Sequence, residues 1–491
     1  MSNERTPVIV GVGELSERPA SLDRAREPAD LMAEALRLAE HDAGAPLLQR
    51  IDGLEIINQI SWPYADTCAA VSMRLASGSR ECTYHPVGGQ TPILAVHRAA
   101  LAIQEGRWRS AAICGAEAEA SVALARQTAF ELAWSPAVPD FKPIRGAYYQ
   151  RPIARSLDFA TPAHVYPFYE YATRKAWNQS LADAERESGT IWANNAAIAR
   201  GREAAWLKRE IDASEIVRAS PENRMIAWPY TKLMMANPRV NQGAAVIMCS
   251  LGLARELGIA RDRLIYVRGG AAADERRDYL ERETFDRSEA MEWALEEARS
   301  LCGNESLTAA ELYSCFPVVP KMARRVLGLE PDAQLTVTGG LTFFGAPLNN
   351  YMTHGAVAMV ERLRRSGGNG LLYGQGEYVT KHHALLLSSL RPEAPLTSEY
   401  RRPEPKPPAP ISETYTGAAM GKAATILYDR DGSVRHGGAI VRTADGQNML
   451  TRIPRSDEPT LRAVTSETSI VGQIGHIRTA ADGIPEWSVW R

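Results

Sequence analysis

Residues 86–106 read PVGGQTPILAVHRAALAIQEG, and the rest of the chain is read outward from them. Thr91 followed by Pro92 is a helix start: a hydroxyl N-cap, then a proline at the first helical position. The run after it is apolar along one face and stops at Gly106. Gly88 and Gly89 stand just outside the start, where a helix leaves backbone N–H groups unpaired and carries its positive dipole end. Two glycines let a ligand approach the backbone closely, and a carbonyl or anionic oxygen fits such a place. A tight turn needing φ > 0 is the plainer use of the same pair, and the two uses are compatible.

The segment after this helix, AAICGA, reads as a buried strand, and the pattern returns later in the chain. The helix ending at Gly106 before AAICGA is matched by one ending at Gly367 before LLYGQG, 261 residues on. VIVGVG from Val8 is matched by LIYVRGG from Leu264, 256 residues on, and Leu54 in GLEIINQ by Leu312 in ELYSCF, 258 on. Three pairs at nearly one offset predict two similar α/β halves with parallel central strands. The expected division is 1–255 for the first half, 256–390 for the second, and an insertion at about 118–235 inside the first. That insertion is rich in Tyr, Trp, Arg and Pro, as a lid or substrate wall would be. Tyr166, Phe168, Tyr169 and Tyr171 either wall a substrate tunnel or form the core of the insertion.

Residues 391–412 include seven prolines in 22 positions, which predicts an extended linker without helix or sheet pairing. After it, 413–491 carries short β runs divided by Asp431-Gly432, Asp445-Gly446 and Asp482-Gly483, the signature of a small OB-like β-barrel or sandwich.

Bulk composition narrows the function classes. Of 491 residues, 45% are apolar and 23% charged, and the net charge is −2. That balance speaks against a dedicated nucleic-acid or anionic-membrane binder. No apolar run reaches the ~20 residues of a membrane span. The start, MSNERTPVIVGVGEL, has no signal-peptide pattern. The six cysteines lack a CxxC pair, so the expectation is a reduced cytoplasmic protein with no zinc and no disulfide scaffold.

Two duplicated α/β halves with an inserted loop region resemble the thiolase superfamily, and local strings carry the resemblance over about 1–390. VIVGVGEL is similar to the opening strand, PILAVHRAALAIQEGRWRSAAICGAEA to the helix and strand after the nucleophile, and NQGAAVIMCS to the strand closing the first half. ELYSCF is similar to the short motif before the second-half helix, and TVTGGLTFFGAPLNNYMTHGAVAMVERL to the Gly-Gly…Gly-His-Pro segment. The likeness is to the branch linked to sterol carrier protein, in particular to thiolase-like proteins with an extra C-terminal β-domain. It implies a five-layered αβαβα duplicated fold (two βαβαβαββ halves), a coenzyme A thioester as substrate or ligand, and an acetyl-CoA acetyltransferase-like role in lipid metabolism. No permanently bound cofactor or metal is implied. The protein is expected as a monomer or homodimer, without nucleic acid or membrane span.

The departures are as informative. The resemblance places the nucleophilic cysteine at Gly89, the Gly-His-Pro histidine at Ala346, and the third catalytic cysteine in GGNGLLYGQGEYVTKHH, which has none. Cys82, seven residues before Gly89, is expected as an inert core thiol. His354 is the acid/base candidate that remains, kept neutral by its place near a helix start. His382 is preferred over His383 as the one facing the cleft, since neighbours on a strand point to opposite faces. Tyr313 stands where the resemblance expects an Asn or His donor and offers a hydroxyl; packing is its alternative use. Asn349 and Asn350 are further polar groups in the loop, or Asx turns. Gly88, with Arg200, Arg202, Lys208 and Arg209 on a predicted helix, is the expected CoA-binding set; a solvated charged face is the alternative for the four cations. The reading is either carbon–carbon chemistry of retro-aldol or Claisen type without an acyl-enzyme, or a non-catalytic acyl-CoA carrier. A conventional acyltransferase using Cys82 or Cys315 is a third, weaker reading.

Overall fold

The computed structural model describes residues 3–75, 79–138, 150–400 and 407–490. Strands β1 (Pro7–Ser16), β2 (Gly53–Ile56), β3 (Glu81–Tyr84) and β4 (Ser110–Ala118) begin the first half. β5 (Met225–Ala227) and β6 (Tyr230–Thr231) lie in the insertion, and β7 (Asn241–Ser250) closes the first half. β8 (Ile265–Asp274), β9 (Leu307–Leu312), β10 (Asn369–Gly376) and β11 (Lys381–Ser388) form the second half. The large sheet runs β3-β2-β4-β7-β1-β8-β11-β10-β9. From its centre, β1-β7-β4-β2 mirrors β8-β11-β10-β9, with β3 beyond the repeat at one edge. β8 starts 258 residues after β1 (7 to 265), and β10 starts 259 after β4 (110 to 369). The duplication expected from the sequence is therefore how the chain folds, but the central strands β4, β7, β1, β8, β11 and β10 pair antiparallel, not parallel as expected, and parallel pairing along this order is confined to the outer strands. The halves touch through a short antiparallel contact, Val8 opposite Tyr266 and Ile9 opposite Ile265.

Six helices matter for the site: α1 (Pro28–Ala43), α2 (Thr67–Leu75), α3 (Thr91–Glu105), α4 (Pro162–Ala176), α5 (Leu181–Arg200) and α6 (Tyr351–Ser366). α3 and α6 each pack on strands of both halves and form the middle layer. α1 covers the outer face of the first half and the helix Glu289–Ser300 that of the second, which gives five layers. α3 suits this place because it buries Ala95, Ala99, Ala100 and Ala102, small residues that let two sheets approach one helix. Among the described residues no helix is long and apolar enough to cross a membrane.

The sequence places a Thr91 cap before α3, and the structure differs. The helix begins at Thr91, Gln90 is the cap residue without a side-chain bond, and Thr91 Oγ1 donates to Pro86 O at 3.3 Å. The hydroxyl therefore ties down the bend instead of capping the helix.

The Pro-rich segment also departs from expectation. Its proline-free stretch forms β12 (Thr397–Tyr400), which runs parallel to β8 opposite Gly269–Ala272. Gln104 of α3 holds the Leu396 backbone from both sides, accepting from its N–H at 2.7 Å and donating to its carbonyl at 2.8 Å. Residues 401–406 and 139–149 of the linker and insertion lie outside the described residues.

β13 (Gly417–Tyr428), β14 (Val434–Thr443), β15 (Asn448–Ile453), β16 (Ile474–Thr479) and β17 (Pro485–Val489) close on themselves in the order β13-β14-β15-β17-β16. The Asp-Gly pairs fall at the turns, with positive φ at Gly432, Gly446 and Gly483. The insertion joins this barrel. β5 pairs with β13 at Ala227 and Leu427, Trp228 N–H donates to Ile426 O at 2.9 Å, and the Tyr171 hydroxyl accepts from Ile470 N–H at 2.8 Å.

The cysteine expectation is corrected. Cys68 of α2 and Cys82 of β3 form a disulfide, with Cα atoms 6.1 Å apart, and Cys82 is exposed. A separation of 14 residues across a helix and a strand carries no spacing signature, so the sequence concealed it. Cys114, Cys249, Cys302 and Cys315 are free and buried.

Candidate functional site

Four loops meet in front of α3. The Gly88-Gly89 bend lies against the end of β10, since a Cβ on Gly376 would strike the Gln90 side chain and one on Gly374 the Gln90 backbone. The Tyr313–Phe316 loop follows β9. The Gly345–Asn350 loop leads into α6, and Asn349 crosses from it to the first half. Asn349 Oδ1 accepts from Gly88 N–H at 3.0 Å, while its Nδ2 donates to Asn58 O at 3.0 Å. Asn350 Nδ2 donates to Gly115 O at 2.6 Å and its Oδ1 accepts from Thr353 at 2.6 Å. Both asparagines thus lock the two halves together, through bonds that span 261 and 235 residues of chain.

Gly89 has no space for a side chain. A Cβ there would stand under 3.0 Å from both the Tyr313 hydroxyl and the Gln375 carbonyl. The phenol of Tyr313 therefore fills the ground where a nucleophilic side chain would stand. Burial, with Cys315 next in effect, pushes the Tyr313 hydroxyl well above the usual tyrosine range, so it stays protonated and a donor. No hydrogen bond engages that hydroxyl, and none engages Gly89 N–H or Gln90 N–H, among the described residues. Gly88 N–H, expected to be free, is taken by Asn349. Three donors without a partner among the described residues therefore belong to this bend and its neighbour loop: two helix-start amides and one phenol.

Behind Tyr313, Gln375 Nε2 donates to the Tyr166 hydroxyl at 2.6 Å and to Cys315 Sγ at 3.3 Å. Tyr166 stacks on Phe316 with ring centroids 4.4 Å apart. Burial raises the Cys315 thiol to about 12, so it is no thiolate at neutral pH. With Cys82 in a disulfide, neither cysteine of the conventional acyltransferase reading is a ready nucleophile.

The other expected residues are buried or held in contacts of their own. His354, in the first turn of α6, is fully buried; Nδ1 meets Glu14 Oε2 at 2.8 Å and Nε2 has no partner. Burial opposes charge on Glu14, but His354 and Arg202 outweigh it and hold the carboxyl below its ordinary range. Arg202 also binds Glu361, so this cation of the expected CoA set is spent on internal pairs. The predicted helix ends at Arg200, leaving Arg202, Lys208 and Arg209 beyond it. Arg200 pairs with Glu210, Arg209 with Glu215, and Lys208 donates to Glu203 O. His382 turns away from α3: Nδ1 meets the Tyr373 hydroxyl at 2.8 Å, and Nε2 meets Ser288 and Val379 O at 3.2 Å. His383 is the one that faces α3, where its Nε2 lies 3.0 Å from His97 Nδ1. The aromatic residues of α4 are buried. Tyr166 and Tyr169 bond the backbone of Glu377 and Tyr378, and Tyr171 bonds the barrel. They form a core between insertion, second half and barrel.

Asn58, Gln375 and Glu117 escaped the sequence reading. Glu117 accepts from Ile60 N–H at 2.9 Å and Ser61 N–H at 2.8 Å, and burial raises its carboxyl to about 7. A glutamate inside the otherwise apolar strand AAICGAEA is the one signal that marked it.

A duplicated five-layered fold with this four-loop meeting point defines a thiolase-like protein. No family model and no curated protein matches the chain. Among solved structures, it is similar to a monomeric SCP2-thiolase like protein type 1 from Mycobacterium smegmatis, at 26% identity over 100% of both chains with a TM-score of 0.83. It is also similar in fold to an Ltp2-ChsH2(DUF35) aldolase, at 18% identity over 79% of this chain and 98% of that one, with a TM-score of 0.57. The fold is thus thiolase-like, and its full-length likeness is to a protein described as SCP2-thiolase like.

Proposed function

We propose that this protein binds a coenzyme A thioester in front of α3 and makes or breaks a carbon–carbon bond on it without forming an acyl-enzyme. One observation carries the reading: the Tyr313 hydroxyl stands where a nucleophile at residue 89 would have to be. Gly89 N–H, Gln90 N–H and the phenol form a donor set for a thioester oxygen, which takes up negative charge when an enolate develops. In a retro-aldol step, the β-hydroxyl of the substrate loses its proton and the Cα–Cβ bond breaks. The electron pair moves onto the thioester oxygen, a carbonyl product leaves, and the enolate is reprotonated at Cα. His354 is the proposed acid/base group, through its unpartnered Nε2. The fold neighbour described as an aldolase supports the class of chemistry, and the neighbour described as monomeric supports a monomer. Cytoplasmic location and a place in lipid metabolism belong to the same proposal.

Tyr313→Phe tests it. Turnover of a β-hydroxyacyl-CoA is expected to fall at least tenfold while the fold stays intact, and unchanged turnover ends the assignment. His354→Ala is likewise expected to lower turnover tenfold or more. The second reading, a non-catalytic carrier, is favoured by the buried state of Tyr313, Asn349 and Gln375. Calorimetry showing CoA binding without turnover across many acyl-CoAs would select it.

A further inference from the structure

We propose that the Cys68–Cys82 bond is a redox-sensitive latch that holds the Gly88-Gly89 bend in order. The unit it staples has little core of its own. α2 buries only Thr67, Ala70 and Val71, and Met73 is 74% exposed. β3 is the edge strand of the large sheet and, among the described residues, pairs with β2 alone, over four positions. Its first two residues are exposed and its last two half-buried. In a unit with so few apolar contacts, a covalent tie replaces packing.

What β3 holds is the site. The strand runs straight into His85, whose ring meets Glu55 and whose carbonyl accepts from Asn58 Nδ2 at 3.1 Å. Asn58 O is the acceptor for Asn349, and Asn349 in turn holds Gly88 N–H. Only six residues separate Cys82 from Gly89. Loosening β3 therefore loosens the bend from which the unspent amides project.

Access is selective. Cys82 is exposed and Cys68 half-buried, while the four other cysteines are buried thiols. A dithiol reductant can attack the exposed sulfur. The S–S bond breaks, the second thiol of the reductant resolves the mixed disulfide, and two electrons and two protons pass to Cys68 and Cys82. The reductant leaves as its own disulfide.

Alkylation and hydrogen exchange on the whole protein test this. Denatured without reductant, the protein should take up four alkyl groups, on Cys114, Cys249, Cys302 and Cys315. After dithiothreitol under native conditions, two more groups should appear, on Cys68 and Cys82. Amide exchange across 82–94 should then rise at least tenfold while that of β7 stays unchanged. Cys82→Ser should exchange like the reduced wild type. Six alkylated thiols in unreduced protein, resistance of the bond to native reduction, or equal exchange at 82–94 in the two states would each overturn the latch. Should the variant not fold, the wild-type comparison alone decides.

Discussion

The entries to α3 and α6 occupy equivalent places in the two halves, yet one is open and the other closed. Ahead of α3, two amides and the Tyr313 hydroxyl have no partner among the described residues. Ahead of α6, the polar groups are engaged. Asn349 and Asn350 cross to the first half, and Tyr351 OH donates to Glu311 at 2.7 Å. Glu311 also accepts from Val337 N–H at 2.7 Å and Thr338 N–H at 3.0 Å. A duplicated frame thus lets one copy keep unsatisfied donors for a ligand, while the other supplies the bonds that hold them still.

The sharpest way to break this contrast is at the closed side. Glu14→Ala would leave Arg202 and His354 buried beside each other without their carboxylate, and should cost roughly 3–5 kcal/mol in chemical unfolding. A cost below ~1 kcal/mol would mean this network does not brace α6. At the open side, Gly89→Ala forces a methyl group into the Tyr313 hydroxyl and the Gln375 carbonyl, and about 3 kcal/mol or more is expected. An unchanged urea midpoint would show that Tyr313 does not fill that space. Asn349→Ala links the two sides. It strands Gly88 N–H and Asn58 O in the interior, at roughly 2–3 kcal/mol, and should speed exchange of the Gly88 amide.

A pH scan sharpens the comparison further. Burial outweighs the nearby Glu275 and lowers His382 to about 4, against an ordinary 6.5. Between those values the unfolded chain binds a proton that the folded chain refuses, so stability should fall as pH drops from 6.5 towards 4. His382→Gln should flatten that part of a Tm-versus-pH curve, and a parallel slope in wild type and variant would remove His382 as its source. The smallest effect is expected from Tyr313→Phe. Its hydroxyl bonds nothing among the described residues, so stability should shift by no more than ~0.5 kcal/mol even as turnover drops.

Much of the frame was legible because it is written in local pattern. The small-residue stripe and the Gly106 stop define α3, Gly367 repeats the stop after α6, and Asp-Gly pairs mark the barrel turns. Gly89 was legible as the position lacking a thiol. What fills that position was not, since Tyr313 lies 224 residues further along (89 to 313) and reaches the bend only through the stacking of loops. The same holds for the Asn58–Asn349–Gly88 bridge and for Cys68–Cys82, where pairing follows from tertiary approach and leaves no periodicity. Proline content misled at 397–400, where four proline-free residues sufficed for β12. At 200–209 the internal pairs were hidden, because a run of cations does not show which acids face it. His382 and His383 were separable only by register: His383 lies opposite Gly374, which packs on Gln90, while the ring of His382 meets Ser288 on the far face.

The hairpin β5–β6 belongs to the first half by sequence and to the barrel by hydrogen bonding. Neither piece can be inherited alone. A gene truncated before residue 413 would leave Trp228 and Tyr171 facing water, and a barrel transplanted elsewhere would lose the strand that flanks β13. Descent should therefore show the two segments gained or lost together, like the halves of a clasp.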